Sequence, residues 1–219
     1  MSPATNSETR ATRQKYNRGS RFYNLFEFPM EWLFYRSWRK LLFSKLTGRS
    51  VLEVGVGTGK NLPFYPETHI SVPVGIDLSE GMLTHAKQQA GKHKFSLIQA
   101  DAQNLPFPDA SFDAVLATFV FCSVPDPVQG LQELHRVLKN KGRLYLLEHV
   151  LPATPFLARI FNNLNAITVR KMGVNINRRT AENIRAAGFD LVTETNLFST
   201  IFKLFIAQPT GAQSLKTPI

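Results

Sequence analysis

The sequence predicts a doubly wound α/β fold with a mostly parallel sheet, on three observations. Short β-rich runs alternate with amphipathic helical stretches between residues 51 and 150. A glycine turn follows the first of those runs. No apolar stretch reaches the ~18 to 20 residues of a membrane-spanning helix.

Residues 1–20 are polar, Ser/Thr-rich and basic, with no apolar h-region, and are expected to fray as a flexible basic tail rather than to act as a secretory signal. Residues 21–48 are expected to form an aromatic and basic helical cap. From Pro29 onward, Met30, Leu33, Phe34, Trp38, Leu41 and Leu42 share one face at 3.6-residue spacing, and Trp32, Arg36, Arg39 and Phe43 share the other.

Strands are predicted at 51–55, 72–77, 95–99, 112–118 and 143–150, with helices from about Gly59, over 79–90 and over 127–139. Asp126 followed by Pro127 is a helix start, and Gly142 is read as closing that helix. Residues 151–178 are expected to be a helical insertion belonging to a substrate lid. A helix over 180–187 and strands over 189–197 and 201–208 complete a domain spanning 49–219.

The chain has 219 residues, 43% of them hydrophobic and 19% charged, the composition of a soluble globular protein with one domain or a domain plus a cap. One cysteine, Cys122, excludes a disulfide framework or multi-cysteine metal site and suits a reducing compartment; the five histidines have no metal-ligand spacing. The net charge of +10 is uneven: +7 over residues 1–50, −2 over 51–150 and +5 over 151–219. Such asymmetry fits nucleic acid, an anionic membrane surface or an acidic substrate, and equally a solvated basic surface.

The stretch Val51-Leu52-Glu53-Val54-Gly55-Val56-Gly57-Thr58-Gly59 carries the chemistry. Alternate glycines allow a tight turn and close approach of a ligand to backbone N–H groups. A dinucleotide fingerprint would need glycine at position 60, which is Lys60. Glu53 at the strand end repels a pyrophosphate and welcomes an ammonium, which points to an amino-acid-bearing cofactor. Asp77 ends the second strand, where a carboxylate can accept from a ribose diol, and Asp101 follows the third. Ligands bind at these carboxyl ends in open α/β sheets.

These residues resemble the class I S-adenosylmethionine-dependent methyltransferases, in the type 11 branch with the ubiquinone/menaquinone biosynthesis methyltransferases and bacterial phospholipid N-methyltransferases. Val51 to Gly59, Val74 to Asp77, Asp101-Ala102 and Ser111-Phe112-Asp113 match the family's motifs. Phe121-Cys122-Ser123-Val124 and Glu148-His149-Val150 are also similar to alkyl-thiol methyltransferases. The resemblance implies a seven-stranded Rossmann-like sheet. It makes Gly55, Gly57 and Gly59, with Thr58, the bed for the cofactor's methionine moiety, and Glu53 either a polar contact or a support of the loop. It assigns Asp77, with Leu78, to the ribose and Met82 to the adenine, although Met82 could equally be core. Asp101 and Ala102 go to the adenine edge and Thr118 to the methionine end. S-adenosylhomocysteine would be the product.

Methyl transfer from a sulfonium is an in-line displacement that needs alignment and exclusion of water, and a base only when the acceptor must lose a proton. Candidate bases are His149, Tyr16 and Tyr23; His149 could equally be structural. Nine of the 24 aromatics lie between residues 21 and 45, interleaved with cations, which suggests an interfacial element, a hydrophobic lid or plain packing. The reading that follows is a methyltransferase for a hydrophobic small molecule or lipid (quinone, phospholipid amine or thiol), cytoplasmic and peripheral on the membrane. The alternatives are a nucleic-acid methyltransferase and a catalytically silent cofactor-binding protein. No Asn/Asp-Pro-Pro-Tyr element follows the fourth strand, which disfavours nucleic acid.

Overall fold

A computed structural model describes residues 3–66, 70, 73–90 and 95–211, the side chains of 3–5 and 21–28 excepted. The strands are β1 (Val51–Val54), β2 (Val74–Asp77), β3 (Ser96–Gln99), β4 (Phe112–Thr118), β5 (Leu138–His149), β6 (Phe189–Phe198) and β7 (Phe202–Pro209). The helices are α1 (Pro3–Met30), α2 (Arg36–Lys45), α3 (Glu80–Ala90), α4 (Pro127–Val137), α5 (Pro155–Met172) and α6 (Thr180–Ala186). One sheet runs β3-β2-β1-β4-β5-β7-β6, parallel through β5, with β7 antiparallel to both β5 and β6.

Strand alternation divides the core. Leu52, Val54, Val115, Ala117, Leu144 and Leu146 join Leu131 and Leu134 of α4 and Ile184 of α6 in one cluster. Val51, Ala114, Leu116, Tyr145 and Leu147 join Trp38, Leu42 and Phe43 of α2 in another. With both faces covered, the central strands read as nearly unbroken apolar runs, as parallel strands do.

Four expectations are corrected. Residues expected to fray are helical from Pro3, and α1 packs on α3. The helix expected from about Gly59 is a turn followed by a short 3₁₀ segment, Leu62–Phe64. The helix expected to reach 139 ends at Val137, because Leu138 is already extended and pairs with Phe112, so Gly142 lies inside β5 rather than closing a helix.

The outward face of the cap is also different. Arg39 and Phe43 are buried, whereas Leu33 is exposed. A π-helical turn, Glu31–Tyr35, separates α1 from α2. Its extra residue advances the inward face by one position, so 38, 39, 42, 43 and 46 point inward where an uninterrupted helix would present 38, 41 and 42.

Candidate active site

The carboxyl ends of β1, β2 and β4 and the loop after β3 line one cavity. Its wall brings together Gly55, Gly57, Asp77, Leu78, Met82, Asp101, Ala102 and Thr118, while Glu53, Thr58 and Gly59 lie outside it. Met82 is both wall and core, since it is almost wholly buried.

The glycine turn is fixed sterically. Gly55 has φ +67°, and a Cβ there would come 2.4 Å from Val120 Cγ2; Gly57 has φ +56°. A side chain at either would be strained, and at Gly55 it would also collide. The Gly57 N–H donates to Asp77 Oδ2 at 2.9 Å and the Ser79 N–H to Oδ1 at 2.8 Å. Burial raises the Asp77 carboxyl above its ordinary value while these bonds oppose it. Each oxygen keeps a lone pair for a hydroxyl. Asp101 is held likewise: Oδ1 accepts from the Gln103 backbone at 2.9 Å, and Gln103 Nε2 also donates to Thr9 Oγ1 on α1.

Glu53 is turned away from the cavity. Oε1 accepts from Asn61 Nδ2 and Oε2 from the Tyr65 hydroxyl, both at 2.8 Å, and burial pushes its carboxyl up to about 7. Of the two roles left open for it, this geometry has the form of loop support. Asn61 also donates to Thr118 Oγ1 and accepts from Arg39 Nη1 at 2.6 Å. Arg39 Nη1 reaches Thr118 Oγ1 at 2.9 Å, and its Nε pairs with Glu31 at 3.1 Å. The π turn thus delivers a buried cation beside Thr118 of the cavity wall.

Next to Thr118 the wall continues with Phe119, whose ring is backed by an aromatic cluster outside the cavity. Phe119 adopts φ +59° and continues the ladder by donating its N–H to Leu147 O. That conformation costs a non-glycine residue about 1–2 kcal/mol. Its ring meets Tyr35 at 4.4 Å and Phe202 at 6.2 Å, and Trp38 lies 5.1 Å from Phe202. Glu148 Oε1 accepts the N–H groups of Val120 and Phe121 at 2.9 and 3.0 Å, fixing the loop after β4.

His149, proposed as a base, does not line the cavity. One ring nitrogen bonds the Asn175 backbone, and Nε2 is buried without a partner among the described residues. Burial lowers its pKa to about 4, so the ring is neutral near pH 7, and raises the Cys122 thiol to about 12. Cys122, Glu148 and His149 bring sulfur, oxygen and nitrogen donors within 4.8 Å of one another, a mixed set of the kind that holds zinc. Parallel pairing of β4 with β5 assembles this group, and sequence spacing conceals it. The Tyr23 side chain lies outside the described residues.

Of the candidate bases, Tyr16 on α1 lies in the cavity wall, and the sequence reading missed the α1 residues beside it. Thr12, Arg13 and Tyr16 line the cavity; the Tyr16 hydroxyl bonds Ser123 Oγ, and Asn17 Oδ1 accepts from Ser79 Oγ at 2.6 Å. A signal was present: Thr9, Thr12, Tyr16 and Ser20 recur at helical spacing. The stripe is mostly polar, so a search for apolar periodicity passes over it.

Residues 52–146 match the family model of a methyltransferase domain. A demethylmenaquinone methyltransferase of Clavibacter sepedonicus is 31% identical over 194 residues, which cover 79% of this chain and 79% of that protein. A phosphatidylethanolamine N-methyltransferase of Cereibacter sphaeroides is 40% identical over 106 residues, 47% of this chain and 51% of that protein. The chain spans about half the length of that relative. A solved S-adenosylmethionine-dependent methyltransferase from Thermotoga maritima superposes with a TM-score of 0.67 at 24% identity, covering 88% of this chain and 98% of that one. At that identity the likeness establishes the fold.

Proposed function

Since the chain belongs to the class I S-adenosylmethionine-dependent methyltransferases, in the branch of the menaquinone and phospholipid enzymes, we propose that it methylates a hydrophobic small molecule: a quinone precursor, a phospholipid amine or a thiol. It would work in the cytoplasm, peripherally on a membrane. The observation that supports this reading is the Phe119 ring in the cavity wall beside Thr118, backed from outside the cavity by Tyr35, Phe202 and Trp38. An apolar acceptor gains by burial there, at about 25 cal/mol per Å².

Bound S-adenosylmethionine supplies an electrophilic methyl. Gly55 and Gly57 would leave its methionine end room, Asp77 would accept from its ribose hydroxyls, and Asp101 and Met82 would hold its adenine. Phe119 and the α1 residues of the wall would exclude water and align the acceptor, which for an in-line displacement is most of the catalytic work.

A thiol or amine acceptor attacks without an enzyme base. His149→Ala should then leave substantial turnover at a pH where the acceptor is deprotonated. A phenol or quinol carbon needs proton removal by a group that reaches the acceptor; His149 does not line the cavity, so a loss of about 100-fold or more in the same variant would mean that the acceptor extends beyond that wall to His149. With a pKa of about 4, a His149 base would stay competent down to about pH 4, placing the acid limb of its pH–rate profile well below the ordinary histidine value.

The acceptor class is tested with methyl-labelled cofactor against a total lipid and small-molecule extract and, in parallel, total RNA. Label in an organic-extractable product supports the reading. Label in RNA alone would replace it with a nucleic-acid activity.

A further inference from the structure

α5 is an 18-residue helix, about 27 Å long, with no buried residue. Thr154 precedes it as N-cap with Pro155 in its first turn, and Gly173, at φ +76°, ends it. One side is tied down: Lys15 Nζ of α1 donates to Val169 O at 2.7 Å, and the Ile176 N–H donates to Asn165 Oδ1. The other side carries Phe156, Ile160, Leu164 and Ile167 at helical spacing, and Phe156 is 73% exposed.

We propose that this face of α5 seats in the interfacial region of an anionic lipid bilayer; the proposal rests on the hydrophobic-acceptor reading and adds the surface that meets the lipid. Charge selects that occupant. Between Glu148 and Glu182 the chain has five cations and no acid. Arg159, Arg170 and Lys171 stand on α5 beside the apolar stripe, and none of them is in an ion pair among the described residues. A helix with an apolar stripe flanked by cations lies in the plane of the headgroups. Two such faces from copies of this chain would bring like charges together, which disfavours a second copy as occupant.

Continuity with the site supports the same occupant. α5 follows the carboxyl end of β5, the end of the sheet where the cavity lies. His149 pairs with Phe202 there, and Phe34 of the π turn meets Phe198 at 5.5 Å, so the hairpin tip and the π turn lie at the same end. Trp32, Leu33 and Phe198 are exposed on them. An acceptor dissolved in the leaflet would approach the end of the sheet where the cavity lies. This surface replaces the outer face of α2 that the sequence suggested, where Arg39 and Phe43 are in fact buried.

The test uses the full chain with S-adenosylhomocysteine bound, sedimented with vesicles of phosphatidylcholine alone or with phosphatidylglycerol added. Wild type should sediment with the anionic vesicles, less so as salt rises. At about fivefold per cation, Arg159→Glu with Arg170→Glu should weaken partitioning by more than about 25-fold. Ile160→Asp with Leu164→Asp should weaken it comparably. All four residues are exposed, and calorimetric affinity for S-adenosylhomocysteine should be unchanged in every variant.

No wild-type binding at low salt, or equal binding by both double variants, overturns the proposal. So does a wild-type dimer in solution that the Ile160/Leu164 variant splits, which would make the face a contact between copies. If wild type ignores vesicles yet methylates a detergent-dispersed lipid extract, the docking surface fails and the acceptor reading stands. If it binds vesicles but labels nothing in that extract, the surface stands and the acceptor reading fails.

Discussion

Asp77 shows how much of the site can be read from residues alone. Its place at a strand end was legible, because a parallel sheet gathers the carboxyl ends of β1, β2 and β4 whatever the side chains between them. Its bonds to the Gly57 and Ser79 N–H groups were not, since they depend on the path of the turn. Asp77→Ala should therefore both loosen the turn and remove the ribose acceptor; titration calorimetry should show at least a tenfold loss of S-adenosylhomocysteine affinity, about 1.4 kcal/mol. Unchanged affinity would sink the assignment.

Glu148 carries a second residue-scale prediction. Burial, the largest influence, raises its pKa from 4.5 to about 7 against the pull of the Val120 and Phe121 N–H groups. Between those values the folded state holds a proton that the unfolded chain has released, so stability falls as pH rises through the window, by about 3 kcal/mol in all. In Glu148→Gln the amide oxygen can accept both N–H bonds, and the amide nitrogen replaces Oε2, which has no partner among the described residues. Denaturant melts should find the variant equal to wild type near pH 4.5 and more stable at pH 8. Glu53 and Asp77, both raised by burial, contribute further slope of the same sign; His149 acts oppositely, losing stability as pH falls from 6.5 toward 4.

Among elements, the central strands were legible because residues buried on both faces are apolar without interruption. The register of α2 was not, because helical periodicity presumes 3.6 residues in every turn and Glu31–Tyr35 breaks that count. The break separates Arg36, exposed, from Arg39, 4% exposed and bonded to Glu31, Asn61 and Thr118. Arg39→Ala should cost about 3 kcal/mol in chemical unfolding, the usual loss when a buried ion pair is broken. Arg36→Ala should stay within about 0.5 kcal/mol. Equal effects would mean that the π turn does not set the register.

Over the whole molecule, the basic N-terminal stretch is part of the cavity wall. Removal of residues 1–20 deletes Thr12, Arg13 and Tyr16 from the cavity wall and Asn17 from Ser79. It should weaken S-adenosylhomocysteine at least about tenfold by calorimetry, while far-ultraviolet dichroism keeps its β signal; a flexible tail would have made no difference. The bond from Tyr16 to Ser123 has a consequence in time as well as in affinity. If that helix, which supplies one wall of the cavity, lifts for spent cofactor to leave, the opening sets the turnover rate, as such openings frequently do. Rapid mixing should then show a burst of one methylated product per enzyme followed by a slower steady state, and Tyr16→Phe should raise the steady rate while leaving the burst amplitude near one.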